Sequence, residues 1–282
     1  MTLPTIVLEP LVRQALLEDF GRGGDLTTNS TVPAAATGTA TLTAREDGVV
    51  AGLDLALLAF TLLDEASAEV HHRDGEKIEA GTAIATLTGP ARALLTGERT
   101  ALNFISHLSG IATATRAIAD RIAHTSAHIV CTRKTTPGLR TVEKYAVVAG
   151  GGMNHRFGLD DAVLIKDNHI ALAGGIAPAL TAAKTQVGHM VKVEIEVDTL
   201  QQLREVVEIG ADAVLLDNMS PETLTEAVKI VDGQFLTEAS GRIHGNHAVA
   251  VAETGVDLIS SGWLTHSSPI LDIGLDITTH AG

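Results

Sequence analysis

The chain has 282 residues, enough for one large domain or two ordinary ones, and 45% of them are apolar, so a sizeable core is available. Only 2% are aromatic and the formal net charge is −14, which argues against a base-stacking nucleic-acid surface and against an anionic membrane as partner. One cysteine, Cys131, excludes an internal disulfide, no basic stretch followed by an apolar run opens the chain, and the expectation is a cytoplasmic protein.

Apolar residues at helical spacing from Leu8 to Leu16 predict a helix over 8–20 that stops at Gly21. Gly21 to Thr28 reads as a Gly-rich turn containing Asp25, Thr37–Arg45 alternates as a strand, and Leu53–Ala66 reads as a helix. The most apolar window, Val49–Leu63, is interrupted by Gly52 and Asp54 and is too short to span a bilayer. Residues 68–88 hold short strands with turns at Asp74-Gly75 and Ala80-Gly81. That stretch resembles a biotinyl or lipoyl carrier hairpin, but Lys77 lies inside the hairpin pattern rather than at a turn between small residues. A lid or dimer element is the better reading.

A long helical pattern follows from Thr96 to Ile122, with Ser109-Gly110 as a candidate break. Beyond it, short β-rich runs recur at His128–Cys131, Ala162–Ile165, Val193–Val197, Ala213–Leu216, Gln234–Thr237 and Asp257–Ser260, separated by helical or mixed segments. This is the alternation of parallel βαβ units. Six strands in this length fall short of a closed eight-stranded barrel, which takes about 250 residues. An incomplete barrel of six or seven strands, or an open doubly wound sheet, is expected.

Each run leads straight into polar residues: Thr132-Arg133-Lys134, Lys166-Asp167-Asn168-His169, Glu196, Asp217-Asn218, Glu238-Ala239-Ser240-Gly241 and Ser260-Ser261-Gly262. In parallel β/α folds these ends face one pocket. Residues two apart share a strand face, so Glu194 and Glu196 point inward together and need partners, with Lys166 and Arg156 as candidates. Arg133, Lys134, Arg140, Lys144, Arg156 and Lys166 crowd a short stretch of an acidic protein, and His155 and His169 add to it. Guanidinium forks suit carboxylates and phosphates. The small ends Ser240-Gly241 and Ser261-Gly262 offer backbone N–H groups to a phosphate, whereas Gly150-Gly151-Gly152 lacks the Gly-Lys-Ser/Thr ending of a P-loop and reads as a turn. Two acids beside a sugar can hold hydroxyls or Mg²⁺ and stabilise positive charge on the ring carbon. The combination describes phosphoribosyl transfer from a pyrophosphate donor. With a single cysteine, no Cys-x-x-Cys spacing points to structural zinc.

The segments Glu98-Arg99-Thr100-Ala101-Leu102-Asn103, Thr132-Arg133-Lys134-Thr135, Asn154-His155-Arg156, Leu164 to His169, Glu194-Ile195-Glu196-Val197, Leu216-Asp217-Asn218, Glu238 to Gly241 and Leu264-Thr265-His266-Ser267 appear in this order. Over residues 18–276 the chain thereby resembles the quinolinate phosphoribosyltransferases. The resemblance implies an N-terminal α/β sandwich (1–110, with a tail 270–282 returning to it) and an open α/β-barrel (111–269). It implies a homodimer with shared active sites, and such dimers can stack into hexamers. Arg99 would reach the neighbour's site. Thr132, Arg133, Lys134, His155, Arg156 and Lys166 would line the quinolinate and phosphate pocket, with Lys134, Lys166, Glu196 and Asp217 as the reacting groups. Glu196 and Asp217 would face the ribose and its Mg²⁺; Ser240-Gly241-Arg242 and Ser261-Gly262-Trp263 would hold the 5′-phosphate. Two positions depart from the family pattern: Cys131 stands where an acid often precedes Thr-Arg-Lys, and Arg242 where a second glycine is common. Two other chemistries fit the same strand ends, a paralogue acting on nicotinate and a Schiff-base aldolase using Lys166. A non-catalytic anion carrier on the same fold is the third.

Overall fold

The computed structural model describes Thr2–Gly241, Ile243 and Gly245–Thr279. In chain order the elements are α1 (Thr5–Phe20), α2 (Leu26–Thr31), β1 (Thr37–Ala44), β2 (Gly48–Val49), α3 (Leu53–Thr61), β3 (Ser67–Val70), β4 (Lys77–Ile78), β5 (Ala83–Pro90), α4 (Ala91–Ile122) and β6 (His128–Val130). Then follow α5 (Arg140–Ala149), β7 (Val163–Ile165), α6 (Asp167–Ala173), α7 (Ile176–Gln186), β8 (Val193–Val197), α8 (Leu200–Ile209), β9 (Ala213–Asp217), α9 (Pro221–Val231), β10 (Leu236–Ser240), α10 (Asn246–Ala252), β11 (Leu258–Ser260), α11 (Trp263–His266) and β12 (Ile273–Thr279). Among the described residues no helix is long and apolar enough to cross a membrane.

The chain divides into two units. One comprises residues up to Ala114, Thr141–Gly151 and the segment from Ser268. Its antiparallel sheet runs β12-β1-β5-β3, with β2 and β4 paired beside it. The C-terminal strand β12 lies along β1 from Gly38 to Ala44. The alternation of β1 puts Ala40, Leu42 and Ala44 into the core, and α1 buries Leu8, Val12 and Leu16, four residues apart on one face.

Three local readings change here. The Gly-rich segment before β1 contains α2, whose first turn Asp25 caps by accepting the Thr28 N–H at 2.9 Å. Helix α3 ends at Thr61 rather than Ala66. Ser109-Gly110 does not break α4. The Ser109 hydroxyl instead receives the Ala51 N–H at 2.9 Å, and a side chain at Gly110 would meet the Pro269 carbonyl at 2.1 Å. These small residues admit neighbouring backbone.

The second unit, Thr115–Arg140 with Gly152–Ser267, is a six-stranded sheet in the order β6-β11-β10-β9-β8-β7. Every adjacent pair is parallel. No ladder joins β6 to β7 among the described residues, so the barrel is open. Helices are fixed where the sequence marks them: Thr199 and Gln202 form a reciprocal capping box on α8, and Ser220 caps α9 ahead of Pro221. All five residues of β8 are buried, as expected of a strand covered on both faces.

The fifth barrel strand is displaced from its expected place. It runs Leu236–Ser240, not Gln234–Thr237, because pairing with β9 and β11 continues through Ser240. Glu238 therefore sits inside the barrel, 1% exposed, rather than beyond the strand end.

Candidate active site

At the carboxyl ends of these strands lies a cavity of about 280 Å³ lined by Thr132, Arg133, Lys134, His155, Arg156, Leu164, Lys166, Leu215, Glu238, Ser240 and Ser260. Four cations from three chain segments converge on it. Arg156 gives one donor to the Ala162 carbonyl at 3.0 Å. Burial, reinforced by Arg133, pushes its guanidinium below its ordinary value, with Asp161 and Glu194 opposing. The Nε of Arg133 is buried with no hydrogen-bond partner. Like charges held together, one with an unspent donor, make a site that gains free energy by taking up an anion.

The remaining expected cations do other work. Lys144 is fully buried on α5, in the first unit. Arg140 braces the loop ahead of α5, donating to the Thr135 hydroxyl and the Phe157 carbonyl, both at 3.1 Å.

The acids fall into two groups. Lys166 Nζ lies 2.7 Å from Glu196 Oε2. Glu196 is opposite Leu215 across β8 and β9, so Asp217, two residues on, shares its face. Asn218 holds a left-handed backbone (φ 52°) and donates its amide to Asp217 at 2.6 Å. This all-oxygen pair is the donor set that suits a hard divalent cation such as Mg²⁺.

Glu194 does not pair with Lys166 or Arg156. It takes His155 Nε2 at 2.9 Å, and Glu238 approaches the same nitrogen at 3.6 Å. Burial first, then the charge of Glu194, raises the Glu238 carboxyl to about 7. Sequence reasoning missed this cluster. Its members come from a loop and two strands, and Glu238 was placed outside its strand.

The glycine-bearing ends differ from expectation. Ser261 is 2% exposed, donating its N–H to Val130 and its hydroxyl to Ile243, so neither donor remains for a phosphate. Lys134 lies against Gly262, where an added Cβ would be 2.7 Å from Lys134 Cδ. Gly241 (φ 149°) abuts Asn218, Ser240 lines the cavity, and half-buried Trp263 begins α11. Arg242 lies outside the described residues. Arg99 is in the first unit, on α4, lining a separate cavity of about 250 Å³ with Asn103 and Asp272. Cys131 is buried and donates its thiol to Asn154 at 3.2 Å, taking a structural place beside the Asn154-His155-Arg156 segment.

An open parallel β/α-barrel with clustered cations and paired carboxylates at its strand ends defines an enzyme of anionic small molecules. The family profile for the quinolinate phosphoribosyl transferase C-terminal domain matches residues 111–276, and that for the N-terminal domain matches 25–109. A probable carboxylating nicotinate-nucleotide pyrophosphorylase of Bacillus subtilis is 46% identical over 272 residues, 96% of this chain and 93% of that protein. A decarboxylating quinolinate phosphoribosyltransferase of Nicotiana glauca is 42% identical, covering 98% of this chain and 84% of its own. The solved nicotinate-nucleotide pyrophosphorylase of Francisella tularensis is 40% identical with a TM-score of 0.92, covering 98% of each chain. The chain belongs to the quinolinate phosphoribosyltransferase family.

Proposed function

We propose that this protein transfers a phosphoribosyl group from 5-phosphoribosyl 1-pyrophosphate to quinolinate, with decarboxylation, making nicotinate mononucleotide for NAD biosynthesis. The observation that carries the substrate class is the pair Arg133 and Arg156 in one cavity, with the Arg133 Nε buried and unpartnered. Two guanidiniums with Lys134 and Lys166 suit a dicarboxylate better than a monocarboxylate.

The pyridine nitrogen bonds to the ribose anomeric carbon as that carbon's bond to pyrophosphate breaks, and the electron pair leaves on the pyrophosphate oxygen. The 2-carboxylate then departs as CO₂. Its electron pair stays on the ring carbon beside the cationic nitrogen until a proton replaces it. Arg133, Arg156, Lys134 and Lys166 bind and orient the dianion, and Glu196 and Asp217 offset the positive charge that develops on the sugar. Glu196 and Asp217 are also the residues that would hold Mg²⁺, whose chemistry is to neutralise pyrophosphate. Ser240 and Gly241 take the 5′-phosphate. The assembly is a homodimer, open to stacking as a hexamer, in which Arg99 serves the partner's cavity, and the reaction belongs in the cytoplasm.

Lys166 is a poor Schiff-base lysine. It is half exposed and its ammonium is held by Glu196 at 2.7 Å, the opposite of a desolvated amine. Turnover with quinolinate should far exceed turnover with nicotinate; a preference for nicotinate would overturn the substrate assignment. Borohydride should trap no carbonyl adduct on Lys166.

A further inference from the structure

His155 looks at first like a fifth cation for the substrate carboxylates. Its hydrogen bonds say otherwise. The Arg156 backbone N–H donates to His155 Nδ1 at 2.8 Å, and only an unprotonated ring nitrogen can accept. The ring proton therefore sits on Nε2, which faces Glu194 Oε2 at 2.9 Å and Glu238 Oε2 at 3.6 Å. Both ring nitrogens are thus engaged by groups of the protein itself.

The second oxygens, Glu194 Oε1 and Glu238 Oε1, are buried without hydrogen-bond partners, and the two side chains are 11% and 2% exposed. Two buried carboxylates would suggest a metal, since one ligand atom from each of His155, Glu194 and Glu238 lies within 4.8 Å of the others. A metal on Nε2 requires the ring proton on Nδ1, where the Arg156 N–H already points. The cluster is built to hold the ring proton.

We propose that Glu194 and Glu238 are positioning residues for the acceptor substrate: they hold His155 in its Nε2–H tautomer, and His155 in turn fixes the backbone of Arg156, so that His155 acts through Arg156 and not by contact. Three segments are thereby tied together, the loop before β7, β8 and β10. The inference rests on the reading of Arg156 as a quinolinate ligand, but its first test does not.

That test is nuclear magnetic resonance of the intact protein labelled with ¹⁵N-histidine, with the His155 signal assigned by its loss in His155→Gln. A neutral Nε2–H ring at neutral pH is expected. An Nδ1–H ring or an imidazolium would overturn the proposal whatever the enzyme's activity. The kinetic test compares Glu194→Gln, whose amide oxygen still accepts the ring proton, with Glu194→Leu, which cannot accept. The leucine variant should raise KM for quinolinate about tenfold or more, with KM for the phosphoribosyl donor little changed, and the glutamine variant should recover most of that loss. Equal losses in the two variants, or a loss shared by both substrates, would contradict it. If Glu194→Leu fails to fold, the wild-type tautomer still decides.

Discussion

Lys166 and Glu196 meet at 2.7 Å across the neighbouring strand ends of β7 and β8, a cation and an acid of the same site held in one ion pair. Glu196 is 10% exposed at its side chain, Lys166 49%. An ion pair this open contributes only about 0–1 kcal/mol to stability. Its consequence is chemical: each group fixes the other's place before substrate arrives.

Because the pair acts as a unit, its losses should not add. Glu196→Gln and Lys166→Met should each lower kcat/KM by about 10²–10³. The double variant should fall little below the worse single. Steady-state kinetics on the four proteins tests this, and independent, multiplying losses would contradict it.

Arg133→Ala and Arg156→Ala should act on the acceptor. We expect quinolinate KM to rise and kcat/KM to fall by roughly 10²-fold for each, with lysine at either position restoring little because an ammonium lacks the fork. An effect confined to the donor's KM would show that these cations hold the phosphoribosyl pyrophosphate instead.

Two glycines predict opposite phenotypes. At Gly262 an alanine meets the flexible stem of Lys134 at 2.7 Å, so the ammonium shifts while the fold persists. Activity should drop about tenfold with little change in Tm. At Gly110 an alanine meets the Pro269 carbonyl at 2.1 Å, backbone that cannot swing aside. A stability loss of about 1–3 kcal/mol should appear as a lowered Tm. Thermal melts and initial rates on both variants separate the two cases.

Glu238 gives a pH dependence of definite sign. Its carboxyl is raised from 4.5 to about 7, so between these values the folded protein keeps a proton that the unfolded chain has released. Stability from this group is complete below about pH 4.5 and is lost as pH rises through about 7. Glu238→Gln is permanently neutral. The Tm of the variant relative to wild type should therefore increase from acidic to neutral pH. A constant difference would mean that Glu238 does not titrate in this window.

Much of this was legible in the sequence where one local signal sufficed. The alternation of Thr37–Arg45, the helix stop at Gly21, and the polar ends after short apolar runs each carried their own physical cause. The misplaced parts depend on pairing across the fold. Gln234–Thr237 has the apolar character of a strand, yet the neighbours β9 and β11 set the ladder two residues later and turned Glu238 inward. Ser109-Gly110 reads as a breaker until Ala51 and Pro269 are seen against it. The partnership of His155 with Glu194 spans 39 residues, and no spacing within one element reports it. Lys144 shows the converse, a lysine that enriches a basic stretch on paper and lies buried on a helix of the first unit.

The most direct test of the assignment is a stoichiometry. The protein would be given the phosphoribosyl pyrophosphate donor, Mg²⁺ and quinolinate labelled in its 2-carboxylate, and nicotinate mononucleotide and labelled CO₂ would be followed together. Equal amounts of both are predicted. Nucleotide formed without CO₂, or formed only from nicotinate, would contradict the assignment.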